Sequence, residues 1–140
     1  RILKKQISID EVEQEVINIK REGAPKLIED RKIYELLQAY YYEQKGNKLN
    51  FLAKNLTRNV SFILKKRNMS MHDFASELQR KSGTSLPLYK SKELLKPEFY
   101  REDNVLSYAF DFAFGLNLSP WDLLFHDVEY LISKNMLSTF

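Results

Sequence analysis

Between positions 49 and 64, one run of apolar residues constrains the whole chain. Leu49, Leu52, Ala53, Leu56, Val60, Ile63 and Leu64 recur with the spacing of one helix face, and no proline or glycine interrupts them. That period suits a 3.6-residue turn rather than the two-residue alternation of a strand. A helix with such a stripe is stable only when the stripe is covered, so the rest of the chain is expected to supply helices that cover it. Four glycines and four prolines in 140 residues are few for an all-β chain, which must turn often. A hydrophobic fraction of 44% is enough to build a core.

Six or seven helices can be read, and no convincing strand. Ser8-Ile9-Asp10-Glu11 has the form of a capping box, followed by Ile9, Val12, Val16 and Ile19 at helical spacing. Arg21 to Pro25 stops that helix. The next runs from about Lys26 to Gln44, with Ile33, Leu36, Leu37, Tyr40 and Tyr41 on one face, and Gly46-Asn47 ends it. Residues 49–67 form one helix or two, since Thr57 can cap a fresh start. Ser70-Met71-His72-Asp73 opens a helix to Arg80. Residues 81–87 read as a loop, Tyr89–Leu95 as a short basic helix and Asn104–Leu116 as an apolar one. Ser119-Pro120-Trp121-Asp122 starts the last helix, with serine as the cap and proline in the first turn. The boundary falls at 45–48, dividing an N-terminal helical extension, 1–46, from a domain spanning 47–140 with its core at about 55–130.

The net charge of +3 conceals an asymmetry. Residues 45–101 carry 13 Lys+Arg against 4 Asp+Glu, whereas 102–140 carry 1 against 6. A basic middle beside an acidic end suits a polyanion on one face, or a solvated surface that offsets acidic neighbours. There are no cysteines, so disulfides and cysteine zinc sites are excluded, and a reducing, cytoplasmic location is the simpler expectation. No apolar run nears the roughly 20 residues that span a bilayer, and no secretory signal is visible. The chain begins at Arg1 rather than Met, so natural residues are expected upstream.

Catalysis finds little footing. His72 and His126 are the only histidines, and neither has a partner at zinc-site spacing. There is no glycine-rich phosphate cradle and no nucleophile elbow. Asp122, Asp127 and Glu129 read as cap and solvent face. No enzyme, metal or cofactor is expected.

From about Thr57 to Leu124 the chain resembles the Cro/C1-type helix-turn-helix domain of phage repressors. The matching residues are the basic helix end Leu64-Lys65-Lys66-Arg67, the Ser70 cap and the Phe74-Ala75 pair. Further on come the stripe Ala109, Phe112, Ala113 and Leu116, and the corner Leu118-Ser119-Pro120-Trp121-Asp122-Leu123-Leu124. The resemblance implies an all-α, five-helix, lambda-repressor-like domain that binds operator DNA as a dimer. Two positions depart from the pattern. Met71 replaces a glutamine that braces phosphate and recognition helix, and Gln79 replaces the glycine that ends helix two. The link between helices two and three is longer as a result.

On that reading Lys65, Lys66, Arg67, Ser70 and His72 meet phosphates. Tyr89, Lys90, Ser91 and Lys92, with Lys96 at the far end, project from the third helix toward double-stranded DNA. No Arg, Asn or Gln lies in 88–96, so affinity is expected to come mostly from phosphates and to fall steeply with salt. A second apolar stripe, Leu106, Phe110 and Phe114, together with Tyr41 in a tyrosine cluster, is expected either to join a homodimer interface or to complete an intrachain core. A different class of function stays open: a protein-interaction module on the same fold, such as an antirepressor or a phage inhibitor of a host defence protein. Lys65, Lys66, Lys90, Lys92 and Lys96 on one face would favour DNA, and scatter over several faces would favour a protein partner.

Overall fold

The computed structural model describes residues 9–43, 49–101 and 104–136, the side chains at positions 9, 40–43, 49 and 50 excepted. Among the described residues the chain is all-helical, with no strand. It divides into two units, Arg1–Lys48 and Leu49–Phe140.

The first unit contains α1 (Ile9–Arg21) and α2 (Lys26–Glu43), packed against each other. Val12 and Val16 on α1, and Ile33 and Leu37 on α2, are fully buried. Gly23 ends the first helix with φ of 71°, a left-handed conformation that glycine adopts without steric cost. Asp30 is buried on α2, with one carboxylate oxygen paired to Lys26 and the other, Oδ1, without a hydrogen-bond partner. Burial raises its pKa above the usual carboxylate range, against the opposing pull of the Lys26 hydrogen bond. The expected cap at Ser8, the stop at Gly46-Asn47 and the side chain of Tyr41 lie outside the described residues.

In the second unit α3 (Leu49–Lys66) is the central element. It packs on α5 (Val105–Leu116), α6 (Pro120–Phe125), α7 (Val128–Ser133) and the 3₁₀ turns that follow α4 (Met71–Ser82). The apolar stripe from Leu52 to Leu64 is buried along its length. Thr57 starts no second helix. It lies inside one continuous α3, and its hydroxyl donates to the Ala53 carbonyl at 2.9 Å. This back-bonding gives a mid-helix threonine a partner without breaking the turn.

Three polar residues of α3, Asn55, Thr57 and Asn59, are buried as well. Asn59 Nδ2 donates to the carbonyls of Leu123 (2.9 Å) and His126 (2.8 Å), and its Oδ1 accepts from the Val128 amide at 3.0 Å. Asn55 Nδ2 donates to the Leu124 carbonyl at 2.8 Å. Together these bonds satisfy the carbonyls at the end of α6 and an open amide of α7. The expected last helix is therefore two. His126 is extended, and Asp127 caps α7 by accepting from the Tyr130 amide at 3.2 Å. Asp122 is buried rather than on a solvent face.

Ser70 caps α4, accepting from the Asp73 amide at 3.0 Å, and Ser119 caps α6, accepting from Trp121 at 3.2 Å. α4 runs to Ser82, beyond the Arg80 end expected, and closes on Gly83 at φ 76°. No helix among the described residues is long and apolar enough to cross a membrane.

Candidate nucleic-acid interface

The segment expected to be a short α-helix is a 3₁₀ segment, Leu88–Leu95, broken at Lys90 by non-helical angles (φ −120°, ψ 30°). Beyond the break, Ser91 and Leu94 stand one 3₁₀ turn apart and form an inward row, with Leu94 fully buried and Ser91 8% exposed. Tyr89, Lys90, Lys92 and Lys96 stand exposed, and Leu88, Glu93 and Leu95 are half-buried. Ser91 belongs to that inward row, and little of it reaches solvent.

Three contacts hold this segment in place. Gln79 Oε1, on α4, accepts from the Leu86 amide at 2.8 Å, so the glutamine standing where a glycine was expected fastens the longer link. The segment itself packs on α4 and on α3. The Tyr100 hydroxyl donates to the Leu94 carbonyl. Burial drives the tyrosine pKa far above its usual value, which keeps the hydroxyl protonated as a donor. Around Tyr100, the rings of Phe99 and Tyr108 lie 5.2 and 5.5 Å from its centroid. The chain of rings continues through Phe112 to Phe74 on α4, at centroid separations of 5.7 and 5.9 Å.

An open groove of about 740 Å³ lies between the start of α4 and this segment. It gathers five of the expected DNA-contact residues, His72, Tyr89, Lys90, Ser91 and Lys92, and adds Phe99 and Glu93. Tyr89 is 86% exposed, and Lys90 Nζ stands 5.7 Å from its ring centroid. Lys65 and Lys66 are exposed at the end of α3, and Ser70 at the cap of α4, but none of them lines the groove. Lys96 also lies outside it, 3.2 Å from Glu93. Arg67 is only half exposed, and its Nη2 donates to the Leu116 carbonyl at 3.3 Å. That bond braces α3 against the end of α5.

The expected interface stripe on α5 is divided. Leu106 is 7% exposed and belongs to the core of the second unit. Phe110 is half-buried, and Phe114 stands at the surface. An α-helical turn advances by about 100° per residue, so residues four apart drift around the axis. Leu106 has followed the core face while Phe114 has not.

Sequence reasoning passed over Phe99, Tyr100 and Asn59. The only available signal was local: three aromatics at 99, 100 and 108 beside a basic segment. Among the described residues no group of acidic, histidine or cysteine side chains is placed to hold a metal ion. Comparison with protein-family models, curated proteins and solved structures finds no match to this chain.

Proposed function

We propose that this chain is a nucleic-acid-binding protein, a repressor-like regulator of the Cro/C1 helix-turn-helix kind, acting by occupying operator DNA. The observation that carries the reading is the exposed lysine pair Lys90 and Lys92, set on a fastened segment beside the first turn of α4 and sharing one groove with His72. Lysines there neutralise phosphates, and the open amides of the α4 start add positive potential. Lys65 and Lys66 are exposed as well, at the end of α3 and outside the groove. A homodimer is part of the proposal, because a two-fold operator is read by a two-fold protein. Phe114 is the member of the stripe left at the surface for such a contact.

A second reading has its own observation. The break at Lys90 removes the straight α-helix that lies in a major groove, which favours a face reused for a protein partner. Titration of the chain against duplex DNA from its own genetic neighbourhood, at two salt concentrations, separates the two. The regulator reading expects tight binding to one segment, weakened by salt and lost in the Lys90→Ala/Lys92→Ala double variant. Affinity no greater than for random DNA would sink it.

A further inference from the structure

We infer that the groove between α4 and the 3₁₀ segment receives one unpaired nucleobase, stacked against Tyr89 and Phe99, with its flanking phosphates on Lys90 and Lys92. The inference rests on the nucleic-acid reading of those lysines and specifies what the groove takes.

Tyr89 is a large ring left 86% exposed. The buried side of its segment is occupied by Ser91 and Leu94 instead. Phe99 lines the same groove and is supported from behind by Tyr100 at 5.2 Å and Tyr108 at 5.6 Å. One wall is therefore an aromatic ring packed on two others, and the other element offers an exposed ring with the Lys90 ammonium 5.7 Å from its centroid. A groove of about 740 Å³ has room for a nucleotide. Aromatic platforms interleaved with cations are the chemistry that binds single strands. Every base has a π face to stack, and the phosphate on either side needs a positive partner. A paired duplex hides those faces between its own base pairs. The break at Lys90 also makes the segment a poor rod for a major groove while leaving it a good rim for a groove of its own. Ser91 lines the groove from the buried row, where a hydroxyl can meet the edge of an inserted base.

The test is fluorescence anisotropy with the full chain and three labelled DNAs: a duplex, the same duplex carrying one unpaired adenine, and the single strand. Wild type is expected to bind the bulged duplex and the single strand more tightly than the duplex, by roughly five- to a hundredfold. Tyr89→Ala, at an exposed position, is expected to erase that preference, and Tyr89→Phe to retain it. Equal affinity of wild type for duplex and bulged duplex would overturn the base-stacking inference and leave the duplex reading standing. A preference that survives in Tyr89→Ala would also overturn it, since the selectivity would then reside elsewhere. Binding to none of the three probes would remove the nucleic-acid reading itself and this inference with it.

Discussion

At the scale of single residues, Asn59 joins more backbone than any other side chain described. It bonds two carbonyls of the α6 end and the first amide of α7. Asn59→Ala leaves those buried groups without a partner, and each such group costs on the order of 1–3 kcal/mol where water cannot replace it. A loss of about 3 kcal/mol is expected, read as a lower urea midpoint and faster hydrogen exchange at the Val128 amide. An unchanged Val128 amide would show that the corner does not depend on Asn59. Asp30 gives a pH-dependent effect. Its pKa is raised in the fold by burial, so the charged form is the disfavoured one and the penalty is present at neutral pH. As pH falls through the raised folded value, the folded state takes up its proton before the unfolded chain does, and the penalty is relieved. Lys26→Met removes the cation that offsets it. The variant is expected to lose about 2 kcal/mol at pH 7, less than a fully buried pair because Lys26 is partly exposed, and to recover toward wild type at acid pH. A deficit that stays constant with pH would point to lost packing of the lysine stem instead.

Between elements, the close approach of α4 and α5 depends on Gly115. A Cβ added there would lie 3.0 Å from Phe74 Cε1 and Cζ and 3.1 Å from Leu78 Cδ1. Two effects oppose each other in Gly115→Ala. Alanine favours the helix by about 1 kcal/mol, while overpacking a core costs about 1–3 kcal/mol. The Phe74 ring decides the sign. It is buried and set edge-on to Phe112 at 5.9 Å, so it has little room to yield. Net destabilisation of about 1 kcal/mol is expected from urea melts, and a gain in stability would mean that the ring moves aside. Helix ends were the most legible feature of the sequence at this scale. Ser70 and Ser119 accept from the amides that their neighbours leave open, because capping is a local matter of three or four residues. The register of Leu88–Leu95 was not legible. Its apolar residues, Leu88, Leu94 and Leu95, suit an α-helix or a 3₁₀ turn about equally. Gln79, Tyr100 and the burial of Leu94 settle the choice from outside the segment.

For the whole molecule, the charge asymmetry sets the expected strength and salt dependence of binding. Among the described residues, the basic side chains between 49 and 101 are spread over α3, α4, the 3₁₀ segment and the links beside them, and only part of them line the groove. If Lys90 and Lys92 each neutralise one phosphate, the double alanine variant should lower the slope of log affinity against log salt by about 2 and weaken binding to all sequences alike. A slope unchanged by the double substitution would assign the phosphate contacts to Lys65 and Lys66. Leu106 and Phe114 show the limit of reading surfaces from a helical wheel. Both belong to one apolar stripe, yet one is core and the other surface, because burial depends on which neighbour lies beyond each turn.

What the sequence alone determined is the helical class, the caps at Ser70 and Ser119 and the buried face of α3. Each follows from residues close together in the chain, where side-chain period and short-range hydrogen bonding act. What only the tertiary structure decided is which polar groups lie inside and which basic groups share a groove. Asn59 lies inside because a corner 67 to 69 positions further along brings a carbonyl and an open amide to it, and nothing near it in the chain signals that burial. His72 and Lys92 are twenty residues apart in sequence and meet only because the longer link, fastened by Gln79, folds the 3₁₀ segment back across α4. Such partners are chosen by the packing of distant elements, and no local period in the chain records them.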